Sequence, residues 1–145
     1  MDATEPSPDA NNVVFRVVQI DQVSYDFASA SATLVLREAE GERRTLTLPV
    51  ALNDATAIHQ AWHHVVGRRP ATNELMTYIL QDLQADVIAA RIVNYAEGIY
   101  YGELDVMTTR GRRVFDCRPS DAIALALRQV VPAPLLAAEE LLRTD

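Results

Sequence analysis

The sequence predicts an α+β fold: a mixed, mostly antiparallel sheet with about four helices packed against it in a single domain. Strand-like runs fall into two groups that flank a pair of helical segments, instead of alternating with helices one by one. Short turn sequences separate most neighbouring strands, which favours hairpins and antiparallel pairing. The chain has 145 residues, of which 49% are hydrophobic, so it is long and apolar enough to bury one core.

Three strands are predicted in the first group, over residues 13–20, 33–37 and 44–52. The first run is rich in Val and Ile, which favour strands. In the third run Leu46, Leu48 and Val50 alternate with other residues, as in a strand that is buried on one face. Because Pro49 has no N–H to donate, this strand is expected to lie at an edge of the sheet or to end there.

Two helices are predicted next. Asn53 is a suitable N-cap for the first helix, which is expected to end at Gly67. Helical spacing predicts that its buried stripe consists of Ile58, Ala61, Trp62 and Val65. Thr72 is expected to cap the second helix. The predicted core-facing side of this second helix consists of Leu75, Met76, Ile79, Leu80 and Leu83.

The second group of strands is predicted over residues 87–95, 99–108 and 113–117. Gly98 lies in the turn between the first two strands, as expected for a hairpin. A third helix is predicted from Ser120 until the break at Pro132. Its core-facing residues are predicted to be Ile123, Leu127 and Val130. Residues 137–143 are predicted to form a short fourth helix.

The first residues of the chain are polar and acidic, so the sequence predicts a disordered tail over residues 1–12 and a folded domain over residues 13–145. The formal net charge is −7, and Asp2, Glu5 and Asp9 contribute three of these charges, which leaves −4 for the domain. This negative field is unlike that of proteins that bind long nucleic acids through a basic surface. All 13 basic residues are Arg, however, and a few well-placed Arg side chains are enough to bind a phosphate.

Cys117 is the one cysteine of the chain, so no internal disulfide can form and a cytoplasmic location is expected. No apolar run approaches the roughly 18 residues that a membrane span requires, and no membrane association is predicted. Beside Asp116 and Arg118, the thiol is either an activated nucleophile or a packed core residue. The residue pattern supplies no base that would activate it.

The segment from Asp116 to Asp121 is the clearest candidate for chemistry. Asp116 and Arg118 are two residues apart, so on a strand they share a face. Ser120 and Asp121 lie at the predicted start of the third helix, where backbone N–H groups and Arg118 could hold an anion. Two carboxylates beside an anion also suit a divalent metal ion in phosphodiester chemistry. The alternative is structural: Asp116 pairs with Arg118, Ser120 caps the helix, and Asp121 complements its dipole.

Two further polar groups of residues have competing interpretations. Arg68 and Arg69 precede the second helix, whose first turn contains Asn73 and Glu74; this corner suits an anion or simple capping. In the first helix two His side chains are four residues apart, the spacing that zinc proteases use. Those enzymes need Glu as a general base where this chain has Gln60, so solvated His side chains on an amphipathic helix are the alternative.

Three stretches, in this order, resemble the bifunctional nuclease domain family: residues 48–57, 69–75 and 116–128. The last, Asp-Cys-Arg-Pro-Ser-Asp-Ala-Ile-Ala-Leu-Ala-Leu-Arg, is the most specific, and the hairpin over residues 98–104 is also similar. The resemblance covers roughly residues 13–142. It implies an α+β fold that is often dimeric and a nuclease activity on both RNA and DNA. A homodimer that binds nucleic acid is therefore expected.

The resemblance also implies that the two polar corners meet in one cleft. By position, this cleft would be lined by Arg69, Thr72, Asn73, Glu74, Asp116, Arg118, Ser120 and Asp121. The predicted catalytic residues are Glu74, Asp116 and Asp121, around Mg²⁺ or Mn²⁺ held by Asp116 and Asp121. The predicted phosphate-binding residues are Arg69, Thr72, Asn73, Arg118 and Ser120.

The chain departs from the family pattern over residues 50–53, where Val-Ala-Leu-Asn replaces the usual Ile-Trp-Ile-Gly, and at three polar positions. Asn73 stands where the family usually has His, Glu74 where it has Asp, and Thr56 where it has Glu. Because Asn cannot shuttle protons as imidazole does, the sequence also supports a catalytically degenerate relative. Such a protein would keep the fold and bind a small anion, a nucleotide or a protein partner.

Overall fold

One open, mixed sheet is the frame of the computed structural model, which describes residues 3–4 and 12–144. The described strands are β1 (Ala3–Thr4), β2 (Phe15–Asp26), β3 (Ser31–Glu38), β4 (Thr45–Ala51), β5 (Asp86–Ala96), β6 (Ile99–Thr108), β7 (Gly111–Cys117) and β8 (Leu135–Ala138). They are ordered β1-β7-β6-β5-β8-β2-β3-β4, and every neighbouring pair is antiparallel except the parallel pair β5–β8. The predicted α+β fold with a mixed, mostly antiparallel sheet is confirmed.

The sheet consists of two three-stranded meanders, β2–β4 and β5–β7, which β8 joins. In the tight turn between β5 and β6, Glu97 and Gly98 have φ values of 53° and 81°, the left-handed region that a two-residue type I′ hairpin requires. β4 lies at an edge of the sheet, as predicted from Pro49.

β8 overturns the prediction of a fourth helix over residues 137–143. This segment forms β8 and then a 3₁₀ turn (Glu139–Leu141). Ala137 and Ala138 are fully buried in the middle of the sheet, where the backbone N–H and C=O groups of β8 need the partners that β2 and β5 provide. This pairing outweighs the helix propensity of alanine. The described residues contain three α-helices rather than about four: α1 (Leu52–Trp62), α2 (Thr72–Asp82) and α3 (Pro119–Leu127).

α1 and α3 pack on one face of the sheet and form the core with it. Every residue of α3 except Pro119 and Asp121 is buried, and the helix packs on β5 and β6 and against α1. α1 buries three residues, Ala55, Ile58 and Ala61. The sheet contributes the inward-facing residues Leu34, Leu36, Leu46, Leu48, Ala90, Ile92, Leu104 and Val106. α3 is therefore the central helix, enclosed between the sheet and α1.

The three helices begin before the residues that were predicted to cap them. The predicted caps lie inside the helices, and their side chains make no cap hydrogen bond; they are Asn53, Thr72 and Ser120. The observed N-caps are Ala51, Ala71 and Arg118. Each has the extended backbone that an N-cap needs, but none of the three caps the helix with its own side chain.

The helices also end earlier than predicted. α1 ends at Trp62, before Gly67, and α3 ends at Leu127. Val65 and Val130, predicted to face the core, lie beyond the helices and are 45% and 87% exposed. None of the helices within the described residues is long and apolar enough to cross a membrane.

The apolar side of α2 faces solvent, whereas it was predicted to face the core. Four of its predicted core residues are 45% to 65% exposed: Leu75, Met76, Ile79 and Leu83. Leu80 is only partly buried. Glu74 and Thr77 point inward instead, and the hydroxyl of Thr77 is satisfied because it donates to the carbonyl oxygen of Asn73 at 2.8 Å.

Most of the predicted disordered tail, residues 1–12, lies outside the described residues. Of this segment, Ala3, Thr4 and Asn12 are described. Ala3 and Thr4 form β1 and pair with Phe115 and Val114 of β7. The disorder of the tail stays a prediction.

Gly102 is expected to tolerate no side chain. A Cβ there would lie 2.9 Å from both Cα and N of Pro119 and 3.1 Å from the carbonyl oxygen of Cys117. These are backbone atoms that move only if the start of α3 moves. We expect Gly102→Ala to lower the free energy of unfolding by about 1–3 kcal/mol, as overpacking does. Urea denaturation followed by circular dichroism measures the change, and wild-type stability would show that β6 and α3 approach less closely than described.

Candidate active site

Arg118 binds two carboxylates from two different helices. It is the N-cap of α3, and its guanidinium donates to Asp54 in the first turn of α1 and to Asp121 in the first turn of α3. Nη1 and Nη2 lie 2.8 and 3.2 Å from Asp54 Oδ2 and Oδ1. Nε and Nη2 lie 2.9 and 3.0 Å from Asp121 Oδ2 and Oδ1. We call these three residues the Arg118 clamp.

The local sequence places the clamp where β7 ends. Pro119 follows Arg118 in the first turn of α3, where its fixed φ suits a helix start and its missing N–H needs no partner. Arg118 has φ −68° and ψ 142°, and its carbonyl oxygen accepts the N–H groups of Asp121 and Ala122. The chain therefore turns into α3 directly at Arg118, which brings its guanidinium to the two helix N-termini.

The clamp is unevenly exposed to solvent. The side chain of Arg118 is 62% exposed and that of Asp121 50%, whereas that of Asp54 is 16% exposed. Both carboxylates lie at helix N-termini, whose partial positive charge favours them. Hydrogen bonds to Asp121 and Asp54 raise the pKa of Arg118, so it stays charged. The clamp has a formal net charge of −1, and its four hydrogen bonds leave one of the five guanidinium N–H groups, on Nη1, for a ligand.

A second polar group surrounds Arg128, the C-cap of α3. Its Nε donates to Asn73 Oδ1 at 3.0 Å and its Nη1 to the carbonyl oxygen of Val65 at 2.6 Å, while Nη2 lies 3.6 Å from Glu74 Oε1. The side chains of Arg128 and Glu74 are only 5% and 4% exposed. Glu74 Oε1 also accepts the N–H of Ala71, but Glu74 Oε2 and Arg128 Nη2 have no hydrogen-bond partner in the described part of the chain. This buried pair ties α2 to α3.

The two polar corners do not meet in one cleft. Arg118 and Arg128 are the caps at opposite ends of α3. Ten residues at a rise of 1.5 Å per residue separate their Cα atoms by about 15 Å. The cleft that the resemblance implied is therefore not formed within one chain.

The other predicted phosphate-binding residues divide between these ends. Thr72 and Arg69 are exposed, at or just before the start of α2, and belong to the Arg128 end. Ser120 follows Pro119 at the Arg118 end and is 8% exposed.

Asp116 lies on the other face of the sheet. Cys117 packs against the core opposite Gly102, so the side chain of Asp116, one residue earlier in β7, points away from α1 and α3. Its partner across the ladder is Glu103 of β6. The prediction that Asp116 and Arg118 share a strand face is wrong, because β7 ends at Cys117 and Arg118 already caps α3.

A charged cluster centred on Asp105 covers this helix-free face. Asp105 is 1% exposed and accepts hydrogen bonds from Arg91 and Arg112. Burial raises the pKa of Asp105, but the hydrogen bonds from Arg112 and Arg91 outweigh it and hold that pKa below its usual value. Burial also raises the pKa of Glu103; Arg91 offsets part of this rise, and the nearby charges of Asp116 and Asp105 add to it.

The thiol of Cys117 is not activated. Burial raises its pKa to about 12, and the negative charges of Asp121 and Asp116 contribute to the rise. Since the thiolate is the nucleophilic form, Cys117 is a poor nucleophile near neutral pH. The side chain packs against the core, in agreement with the structural interpretation of this residue.

One groove of the described residues lies away from every predicted site residue. It has a volume of about 560 Å³ and its charged lining consists of Arg16, Glu38, Glu40, Glu42, Arg44 and Glu139. Arg44 forms ion pairs with Glu38 at 2.6 Å and with Glu139 at 3.1 Å. These ion pairs hold the β3–β4 turn against the 3₁₀ segment, so we interpret the groove as structural.

Comparison with known proteins decides the family. The sequence profile of the Bifunctional nuclease domain matches residues 34–145, well over half of the chain. The chain belongs to the bifunctional nuclease domain family. It is also similar to two Mycobacterium tuberculosis proteins, "Uncharacterized protein MT1877" of strain CDC 1551 / Oshkosh and "Uncharacterized protein Rv1829" of strain ATCC 25618 / H37Rv. Each is 36% identical over 99 residues, which make up 68% of this chain and 58% of the relative.

The positions that depart from the bifunctional nuclease pattern have structural partners here. Asn73 accepts a hydrogen bond from Arg128. The hydroxyl of Thr56 donates to the carbonyl oxygen of Leu52, one turn earlier in α1. Asp54 and Arg128 were not selected from the sequence, although both lie in the stretches that resemble the family. Their partners, 64 and 55 residues away, are not visible in a linear sequence.

The described residues do not fit the predicted metal site. Within residues 12–144 no group of three or more His, Cys, Asp or Glu side chains is placed to hold a metal ion. Asp116 points to the helix-free face, Glu74 lies at the far end of α3, and both oxygens of Asp121 are bonded to Arg118. Mg²⁺ and Mn²⁺ prefer several oxygen ligands converging on one point, which this arrangement does not offer.

The two arginines that cap α3 are expected to differ in their contribution to stability. Arg128→Met leaves the buried Glu74 without a counter-charge, so we expect a loss of about 3–5 kcal/mol in the free energy of unfolding. Arg118→Met is the same substitution at a more exposed residue, where one carboxylate partner, Asp121, is half exposed and the other, Asp54, is 16% exposed. We expect it to cost less, about 1–2 kcal/mol. Urea denaturation at pH 7 measures both. Equal losses would contradict the division between a structural Arg128 and a functional Arg118.

Glu103 is expected to lower the free energy of unfolding as pH rises. Its pKa in the folded protein is raised above the ordinary value of 4.5, so its contribution to stability is fully present below pH 4.5 and is lost as pH rises through the folded pKa. Glu103→Gln should therefore raise the melting temperature at pH 7, with a gain that shrinks on acidification. Thermal melts compare it with Glu140→Gln at an exposed position. A gain that grows toward low pH would show the opposite sign of the shift.

Proposed function

We propose that the protein is a nuclease that hydrolyses phosphodiester bonds of RNA and DNA at the Arg118 clamp. The observation that carries this proposal is an exposed guanidinium fixed by two carboxylates at the N-termini of two helices. Charged groups held in advance where charge develops are a main source of rate enhancement in such reactions. Membership of the bifunctional nuclease domain family supports the reaction class.

Each residue of the clamp is assigned one role. Arg118 uses its remaining N–H to bind an oxygen of the scissile phosphate and stabilises the negative charge that grows there. Asp121, half exposed and oriented by Arg118, accepts the proton of the attacking water. As the bond between phosphorus and the leaving sugar oxygen breaks, that oxygen takes up a proton from solvent. Asp54, largely buried, fixes the guanidinium from the side of α1. Backbone N–H groups at the start of α3 assist in holding the phosphate.

The proposed substrate is short or single-stranded nucleic acid. With a net charge of −7, the protein has no basic field to hold a long polyanion, so binding relies on few phosphate contacts. Affinity should then decrease only weakly as salt increases. We also propose that the protein acts in the cytoplasm and as a homodimer.

The roles proposed for the clamp do not depend on whether the reaction requires Mg²⁺ or Mn²⁺. The roles assigned to Arg118, Asp121 and Asp54 involve no bound ion, because the described carboxylates do not converge on one. Assays with each ion and with excess EDTA therefore form part of the test.

A non-catalytic module that binds a small anion or a nucleotide is the second candidate function. Asn73 and Thr56 favour it, because both are bonded within the fold and neither can replace the His and Glu that the family usually has. The clamp and the start of α3 would bind the same phosphate group without breaking a bond.

The decisive assay is cleavage of single-stranded RNA and DNA by wild type, Asp121→Asn and Arg118→Met, with and without EDTA. If the clamp is the active site, both variants should lose at least about 100-fold in rate while remaining folded, because each removes a proton acceptor or the phosphate-binding cation. Glu140→Gln, at an exposed carboxylate of the 3₁₀ segment, should cleave like wild type. Folded wild type that binds a nucleotide but cleaves neither substrate would instead support the binding module.

A further inference from the structure

α2 presents a continuous apolar stripe to solvent. Leu75, Met76, Ile79 and Leu83 are 51%, 45%, 48% and 65% exposed. Their positions, i, i+1, i+4 and i+8, fall on one side of a helix with 3.6 residues per turn. Glu74 and Thr77 occupy the opposite, buried side. A surface helix usually has the reverse arrangement, so the outer face of α2 has the composition of a helix that packs against another surface.

Further apolar side chains continue this stripe at the N-terminal end of α2. Val65 and Val66 are 45% and 70% exposed. They lie close to α2, because the guanidinium of Arg128 donates both to the carbonyl oxygen of Val65 and to the side chain of Asn73 in α2. Contiguous apolar patches of this kind on a protein surface mark interaction sites. We call the stripe together with Val65 and Val66 the α2 patch.

We propose that the α2 patch binds the α2 patch of a second copy of this chain, with the two helices antiparallel about a two-fold axis. The charges at the ends of α2 favour this occupant. Arg68 and Arg69 are exposed just before the helix, and Asp82 is exposed in its last turn, with Asp86 shortly after. Antiparallel packing brings the basic end of one copy to the acidic end of the other, whereas parallel packing would bring like charges together.

The same geometry aligns the helix dipoles favourably, since the N-terminus of each α2 meets the C-terminus of its partner. An 11-residue helix is about 16 Å long, so the stripe supplies an apolar centre and the charged ends supply a polar rim. A standard interface buries about 800 Å² per partner, which requires Val65, Val66 and their neighbours in addition to the helix. The interface rests on the homodimer part of the proposed function and is independent of catalysis at the Arg118 clamp.

Sedimentation equilibrium from about 1 to 100 µM tests the interface. Wild type is expected to approach twice its chain mass of 16.0 kDa. Ile79→Glu, at the centre of the stripe, is expected to remain monomeric with an unchanged circular dichroism spectrum. Gln81→Glu adds the same charge to an exposed position on α2 outside the stripe and should dimerise like wild type. Monomeric wild type at the highest concentration, or a dimer that survives Ile79→Glu, would overturn the proposal.

Reversing the end charges tests the antiparallel orientation and does not depend on the folding of Ile79→Glu. Asp82→Arg alone should weaken the dimer at least about 10-fold, because it places like charges together. Combining it with Arg69→Glu should restore most of the affinity, since the attraction is rebuilt with the signs exchanged. A double variant that is no tighter than Asp82→Arg would exclude this orientation. Nuclease assays of the same variants are separate, so failure of the interface and failure of the clamp are distinguishable.

Discussion

The ion pairs of Arg118 connect the parts of the molecule on which a function would depend. One guanidinium joins the first turn of α1 to the first turn of α3, across 64 residues of sequence. α3 is the helix that the sheet and α1 enclose, so Arg118 links α1 to the helix at the centre of the core. Pro119 begins α3 two residues after the end of β7, and Gly102 of β6 packs closely against it. The most exposed charged group of the clamp thus lies at the start of the most buried helix of the fold.

The two ends of α3 separate the proposed active site from a buried ion pair. At its start, Arg118 is 62% exposed and retains a donor for a ligand. At its end, Arg128 is 5% exposed and is occupied by Asn73, Val65 and Glu74. This explains how the chain can carry Asn73 where its family usually has His: the position serves α2–α3 packing here. It also means that Glu74, which was predicted from the sequence to be a catalytic carboxylate, is better understood as the counter-charge of a buried arginine.

Local patterns predicted most of the sheet, because alternation and turn residues are properties of short segments. The hairpin at Gly98 and the edge strand marked by Pro49 are examples. The predictions were wrong where contacts between residues far apart in the sequence determine the local structure. Residues 137–143 have helical propensity, but the space between β2 and β5 requires a strand. α2 was correctly predicted as amphipathic and wrongly oriented, because periodicity shows that a helix has an apolar side and not what that side contacts. For the candidate site, Arg118 and Asp121 were selected from the sequence, whereas Asp54 was identified only through its hydrogen bonds to Arg118 in the fold.

The most direct test of this account compares Asp54→Asn with Asp116→Asn in cleavage of single-stranded RNA. The two substitutions are chemically identical, and each removes one carboxylate charge. Asp54 belongs to the clamp, whereas Asp116 points to the helix-free face beside Glu103. If the clamp is the active site, Asp54→Asn should lose at least about 10-fold in cleavage rate, because Arg118 is no longer held on one side. Asp116→Asn should stay within about 2-fold of the wild-type rate. Retained activity in folded Asp54→Asn, with activity lost in Asp116→Asn, would contradict it and move the active site to the other face of the sheet.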